Sequence, residues 1–300
     1  MPEAIIDAII NVEHLSHTYA TAPLPKLALD DVSMQIARGS CVAIIGVNGS
    51  GKSTLVQHFN GLLRPTHGSV TVDGVQVKAH GGDLRALRQH VGLLFQFPEA
   101  QLFASTVYAD VAFGPQRMHL PAKDVNKRVR AALEVVGLPY HDYADRSPFE
   151  LSGGQRRRVA LAGILSMTPR ILILDEPTVG LDGAGRADFY AHLARVRRDQ
   201  GVTIILISHD MAEVAAIAEQ LYILHRGKLV MEGTPRSIFA QNEQLQRWDL
   251  ATPSLHGLFA ILRQQGIAIP DSVLNVDEAC DFLQDWKQQN RKQKKQLPDG

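Results

Sequence analysis

Cysteine is scarce in this sequence: Cys41 and Cys280 are the two present in 300 residues. Two such thiols define neither a disulfide framework nor a metal cluster, and they suit a reducing compartment such as the cytosol. The 12 histidines show no paired ligand spacing, so no structural metal is expected. An excess of either charge is missing too. Lys plus Arg and Asp plus Glu both number 31, so no overall field favours nucleic acid as a partner. The one basic run, QQNRKQKKQ (288–296), reads as a frayed, solvated end. No apolar run approaches the roughly 18–20 residues that span a bilayer. MPEAIIDAII places acids where a signal peptide carries positive charge. The expectation is a chain that does not cross a membrane by itself.

What remains is globular in character. Hydrophobic residues make up 45% and charged residues 21%, enough for a sizeable core. The length suits one large domain, or a core with an appendage. CVAIIG (41–46), ILILDEP (171–177) and VTIILISHD (202–210) read as buried strands, and GSVTVDG (68–74) as a half-exposed strand closed by an Asp-Gly turn. Helical stretches lie between them at Lys52 to Gly61, Ala184 to Asp199 and Met211 to Glu219. This alternation predicts an α/β fold with a mostly parallel sheet and ligands at the carboxyl ends of its strands. From about 97 to 153 the rhythm breaks. KDVNKRVRAALEVVGL (123–138) sets Val125, Val129, Ala132, Leu133 and Val136 at helical spacing, as in a helical insertion. The division expected is a core over 1–240, with a helical subdomain of about 97–160 inserted in it, and a small, mainly helical appendage over 241–300.

Two motifs carry phosphate chemistry. GVNGSGKST (46–54) fits the P-loop pattern G-x-x-x-x-G-K-S/T, with a strand before it and a helix after it. Its run Gly46, Val47, Asn48, Gly49, Ser50, Gly51, Lys52, Ser53 and Thr54 would wrap backbone N–H groups around phosphate oxygens. Lys52 would neutralise the β- and γ-phosphates of ATP and the Ser53 hydroxyl would ligate Mg²⁺. ILILDEP ends its strand in Asp175, a second Mg²⁺ holder, and Glu176, the candidate general base for the attacking water. LSGGQ then puts Leu151, Ser152, Gly153, Gly154 and Gln155 at a helix start, where bare N–H groups and the helix dipole favour an anion. One chain thus carries two phosphate-binding elements.

P-loop, LSGGQ and LDEP in this order and spacing resemble the ATPase subunits of ABC transporters, over about residues 10 to 235. The resemblance implies a P-loop NTPase fold, with a RecA-like core and an ABC helical subdomain, and it implies roles that spacing alone does not give. Tyr19 would stack on adenine. Gln96 would sense Mg²⁺ and the attacking water. Asp182, in VGLD, would cross between subunits, and His209, in ISHD, would contact the γ-phosphate. In that family two ATPase domains pair head to tail, so that the LSGGQ of each closes over the partner's ATP. A second ATPase subunit, a copy or a paralogue, is therefore implied.

FQFPEAQLFASTVYADVAFGPQ (95–116), EPTVGLDGAGR (176–186) and LATPSLHGLFAILRQQG (250–266) resemble the energy-coupling factor ATPases, the CbiO-like subunits of importers for vitamins and for cobalt or nickel ions. This implies a transmembrane scaffold protein and a substrate-binding membrane protein as partners, and a peripheral position on the cytoplasmic side of the cell membrane. The first ten residues and the basic Gln-rich tail depart from that pattern. The alternatives are a conventional ABC transporter ATPase, or a soluble one such as an iron–sulfur assembly scaffold ATPase.

Overall fold

The computed structural model describes residues 7–20, 24–250 and 276–294, together with Phe259, Leu262, Ile267, Ile269, Pro270 and Val273. Five apolar runs build the centre. β3 (Cys41–Ile45), β6 (Val91–Leu94), β7 (Ile171–Asp175), β8 (Thr203–Ile207) and β9 (Gln220–His225) run parallel, and β10 (Lys228–Gly233) closes one edge antiparallel. The order across this six-stranded sheet is β10-β9-β3-β8-β7-β6. Near-continuous burial of these strands follows from a sheet covered on both faces. Alternate residues feed two cores: Ala43 and Ile45 join one, Val42 and Ile44 the other.

One face is covered by a second, four-stranded antiparallel sheet, in the order β2-β1-β4-β5. Its strands are β1 (Ala8–Tyr19), β2 (Lys26–Ala37), β4 (His67–Val72) and β5 (Val75–Val77). Only β4 and its Asp73-Gly74 turn were readable in the sequence. β1 hides its periodicity because its pairing with β2 shifts register repeatedly, and His14 and Asp31 take positive φ. Helices α1 (Lys52–Phe59) and α2 (Arg85–His90) pack on the same side, with Phe59 and Leu87 fully buried.

The other face carries α3 (Val107–Arg117), α4 (Ala122–Val135), α5 (Tyr140–Tyr143), α6 (Gly153–Leu165), α7 (Gly183–Gln200) and α8 (Met211–Ile217). The expected apolar stripe of α4 is buried at all five positions, Val125, Val129, Ala132, Leu133 and Val136. Two short helices follow β10: α9 (Pro235–Phe239) and α10 (Asn242–Arg247). Leu245 and Leu250 pack into the same core as α6 and α7, so we propose that the core extends to about residue 250 rather than 240. Beyond it Phe259, Ile269, Val273 and Ala279 form a small cluster of their own. The last helix, Val276–Lys294, contains the start of the basic run. Leu255, Leu258 and the rest of the tail lie outside the described residues.

Candidate functional site

The loop between β3 and α1 owes its shape to two glycines. A Cβ on Gly46 would sit 2.3 Å from the Leu224 carbonyl oxygen, and one on Gly51 would sit 2.7 Å from that of Ala28. Both also hold φ values that side chains avoid, 156° and 108°. The loop borders a cavity of about 260 Å³ lined by Tyr19, Asn48, Gly49, Gly51, Lys52, Ser53, Thr54, Gln96, Asp175 and Glu176, among others. Gly46, Val47 and Ser50 lie behind this lining, and the Ser50 side chain is turned inward and buried. Their contribution to an anion would be made by the backbone.

Charge is concentrated on the cavity floor. Lys52 Nζ donates to the carbonyl oxygens of Gly46 (2.7 Å) and Val47 (3.1 Å). Burial lowers its pKa, an effect opposed by the nearby carboxylates of Glu176 and Asp175. Ser53 Oγ donates to Asp175 Oδ2 at 3.3 Å, joining α1 to the end of β7. Burial raises the Asp175 pKa against that hydrogen bond, and the neighbouring Glu176 raises it further. The hydroxyl of Ser53, the carboxylate of Asp175 and the side-chain oxygen of Gln96 are an all-oxygen donor set, which suits Mg²⁺. Glu176 continues from β7 with φ 49°, and its N–H is held by the Ile207 carbonyl oxygen at 2.9 Å. His209 Nδ1 donates to Glu176 Oε2 at 2.7 Å. Tyr19 OH and Thr54 Oγ1 are 3.1 Å apart, and the Tyr19 ring stands edge-on to buried His17 at 4.7 Å. His17 in turn contacts His58, whose pKa burial lowers to about 4.

No residue of 151–155 lines this cavity. Ser152 caps α6 by accepting from Gln155 N at 3.3 Å, and Gln155 Oε1 accepts from Ser152 N at 3.0 Å, a reciprocal capping box. Gly153 is exposed, and a Cβ there would meet nothing within 4 Å. This chain's own packing therefore does not require a glycine at 153, and the bare backbone faces outward. Asp182 caps α7, accepting from Gly185 N at 2.7 Å, and is also exposed.

Arg157, buried on α6, escaped the sequence reading because an RRR run looks like a solvated face. Its Nη1 donates to the carbonyl oxygens of Pro177 (3.1 Å) and Val179 (2.6 Å), just after Glu176. Its Nη2 lies 3.6 Å from Glu99 Oε2, in the turn Pro98–Gln101 that follows Gln96. Arg157 Nε, Glu99 Oε2 and Gln101 Nε2 are buried there and have no hydrogen-bond partner among the described residues. Beside this joint lies an apolar groove of about 390 Å³, lined by Leu102, Phe103, Phe113, Met118, Ile164 and Met167 with Arg88, Arg117 and Asp110 at its edges. Phe103 is 61% exposed and stacks edge-on against Phe113 at 5.0 Å. Asp110 accepts from the N–H groups of Phe103 and Ala104, which fixes the loop. Leu102, Val107 and Val111 are internal.

The chain is similar to known proteins over most of its length. A family model described as ABC transporter matches residues 29–179. The chain is 51% identical over 268 residues to the energy-coupling factor transporter ATP-binding protein EcfA2 of Symbiobacterium thermophilum, covering 89% of this chain and 92% of that one. To EcfA2 of Clostridium tetani it is 42% identical over 271 residues, or 90% and 94% of the two chains. Among solved structures, CbiO1 from Clostridium perfringens, part of the ABC transporter complex cbiONQ, aligns with TM-score 0.73 and 37% identity, over 85% of this chain and 99% of that one.

Proposed function

The chain belongs to the ABC transporter family as a relative of energy-coupling factor ATP-binding proteins, and from that membership we propose how it works and with what. It is an ATP-hydrolysing subunit of an energy-coupling factor importer. Lys52 and the backbone N–H groups of 46–54 bind the phosphates of ATP, and Tyr19 covers the adenine. Ser53, Asp175 and Gln96 would hold Mg²⁺, which when bound would supply charge neutralisation at the phosphate oxygens. Glu176 accepts the proton of the attacking water, and His209 orients the Glu176 carboxylate and faces the γ-phosphate. Leu151, Ser152, Gly153, Gly154 and Gln155 close over the ATP of a second ATPase subunit, which Asp182 also approaches. The observation that carries this reading is the separation of 151–155 from the cavity that their phosphate-binding geometry would otherwise serve.

The groove at Phe103 receives a cytoplasmic amphipathic helix of a transmembrane scaffold, with the exposed aromatics as its anchors. Among the described residues no helix is long and apolar enough to cross a membrane, in keeping with a peripheral subunit on the cytoplasmic side. The cargo, a vitamin or a transition-metal ion such as cobalt or nickel, is chosen by the membrane partner. The test is purification of the full-length chain from native membranes and reconstitution of what comes with it. A scaffold and a small substrate-binding membrane protein, with ATP-driven uptake abolished by Glu176→Gln, is the expected result. Hydrolysis should fall by ~10²–10⁴-fold in that variant while ATP binding persists. Copurification with soluble cluster-assembly proteins instead would overturn the transport assignment.

A further inference from the structure

We infer that Glu213, outside the nucleotide cavity, is a positioning residue that holds the Glu176–His209 pair in register. The inference rests on the reading of Glu176 as the base. α8 opens at Asp210, which caps it by accepting from the N–H groups of Ala212 and Glu213. A glutamate at this third helical position ordinarily reaches back to the N–H of the capping residue. Here Ser208 Oγ takes that N–H at 3.0 Å, and the Glu213 carboxylate turns inward. It is 9% exposed and accepts from three hydroxyls: Thr178 Oγ1 at 2.8 and 3.0 Å, Tyr190 OH at 2.7 Å and Ser208 Oγ at 3.3 Å. Arg186 Nη1 stands 3.7 Å from Oε1.

The identity of those donors decides what the carboxylate does. Thr178 follows Glu176 by two residues, and Ser208 immediately precedes His209. One side chain therefore anchors both loops whose tips meet at 2.7 Å. Tyr190 and Arg186 fasten it to α7, the helix that Asp182 caps. Glu176 sits with φ 49°, a backbone conformation that persists in a non-glycine residue only where its surroundings hold it. The brace at Thr178, together with the Ile207 carbonyl oxygen on the Glu176 N–H, supplies such a hold. Glu213 does not line the cavity, so it acts through the pair and not on ATP.

The test uses the full-length chain in its ATPase-competent assembly, with Glu213→Gln keeping shape while removing charge. Misplacement of a reacting group by about an ångström can cost ~10²-fold, so turnover should fall by roughly 10–100-fold with KM for ATP unchanged. Added to Glu176→Gln, the same substitution should slow single-turnover hydrolysis no further, because both act on one step. Should Glu213→Gln fail to fold, Thr178→Val and Ser208→Ala read the same brace one bond at a time, each lowering kcat and not affinity. Parent turnover in a folded Glu213→Gln protein beside an inactive Glu176→Gln protein would overturn the brace alone. So would losses that multiply in the double variant, or a rise in KM as large as the fall in kcat. Parent turnover in Glu176→Gln would remove the base assignment and this proposal with it.

Discussion

Nδ1 of His209 donates to Oε2 of Glu176 across 2.7 Å, although the two side chains leave different strands and are 73% and 14% exposed. The imidazole, outside the cavity lining, thus fixes the orientation of the carboxylate. Replacing His209 with Ala should leave ATP binding at parent affinity and lower kcat by roughly 10²–10³-fold, as for loss of one preorganised donor. Steady-state hydrolysis and fluorescent-nucleotide binding on the same preparation check this, and an unchanged kcat would refute it.

The two phosphate-binding elements should separate by mutation. Lys52→Ala removes the ammonium of the loop between β3 and α1 and should weaken ATP binding by the isolated subunit. Ser152→Arg removes the α6 cap, at a cost of about 1 kcal/mol, and should spare that binding while preventing ATP-dependent dimerisation. Size-exclusion chromatography with light scattering, alongside nucleotide binding by monomer, distinguishes them. Equal loss of monomer binding in both variants would contradict a signature that serves the partner.

Phe103→Glu should disconnect hydrolysis from transport. The ring is exposed and its backbone is held independently by Asp110, so the fold should tolerate the charge. ATP hydrolysis by the detergent-free ATPase pair is expected at the parent rate, while scaffold capture and substrate uptake fail. Normal uptake by the variant complex would show that the groove is not the docking surface.

Asp73, with its side chain 4% exposed, ties the two sheets through Arg170 (2.7 Å) and Arg38 (3.2 Å), and His90 Nδ1 lies 3.0 Å from it. Burial would raise its pKa, but hydrogen bonds from Arg170 and Arg38 hold it below the ordinary 3.8. A depressed folded-state pKa stabilises the fold above the unfolded value, and that margin is lost as pH falls through the folded value. Asp73→Asn keeps the positive-φ turn and should cost about 1 kcal/mol or somewhat more at neutral pH. The gap in urea midpoint between parent and variant should then begin to narrow below about pH 4 and close only as pH falls through the depressed folded-state value, beneath which both side chains are neutral. A gap that persists at acid pH would assign the loss to shape and not charge.

Three strands of the parallel sheet, β3, β7 and β8, were legible because strands buried on both faces leave apolar runs such as ILIL and IILI, whereas β6 and β9 were not read. The helical insertion was legible from the 3.6-residue period of α4. The second sheet was not, since bulged strands like β1 scramble the alternation that reveals a strand. Residues that carry a local pattern, the P-loop and the strand-ending acids, could be named in advance. Glu213 and Arg157 could not: one imitates a capping glutamate and the other a solvated arginine, and only the tertiary fold shows where each turns.

Arg157 sits on the helix whose first turn, in the proposed pairing, faces a neighbour's nucleotide, and its guanidinium grips the loop directly after Glu176. Under the proposed pairing, occupancy at one interface is therefore an input to chemistry at the other. In that pairing the assembly would act as a logical conjunction, neither half committing to hydrolysis on its own ATP alone.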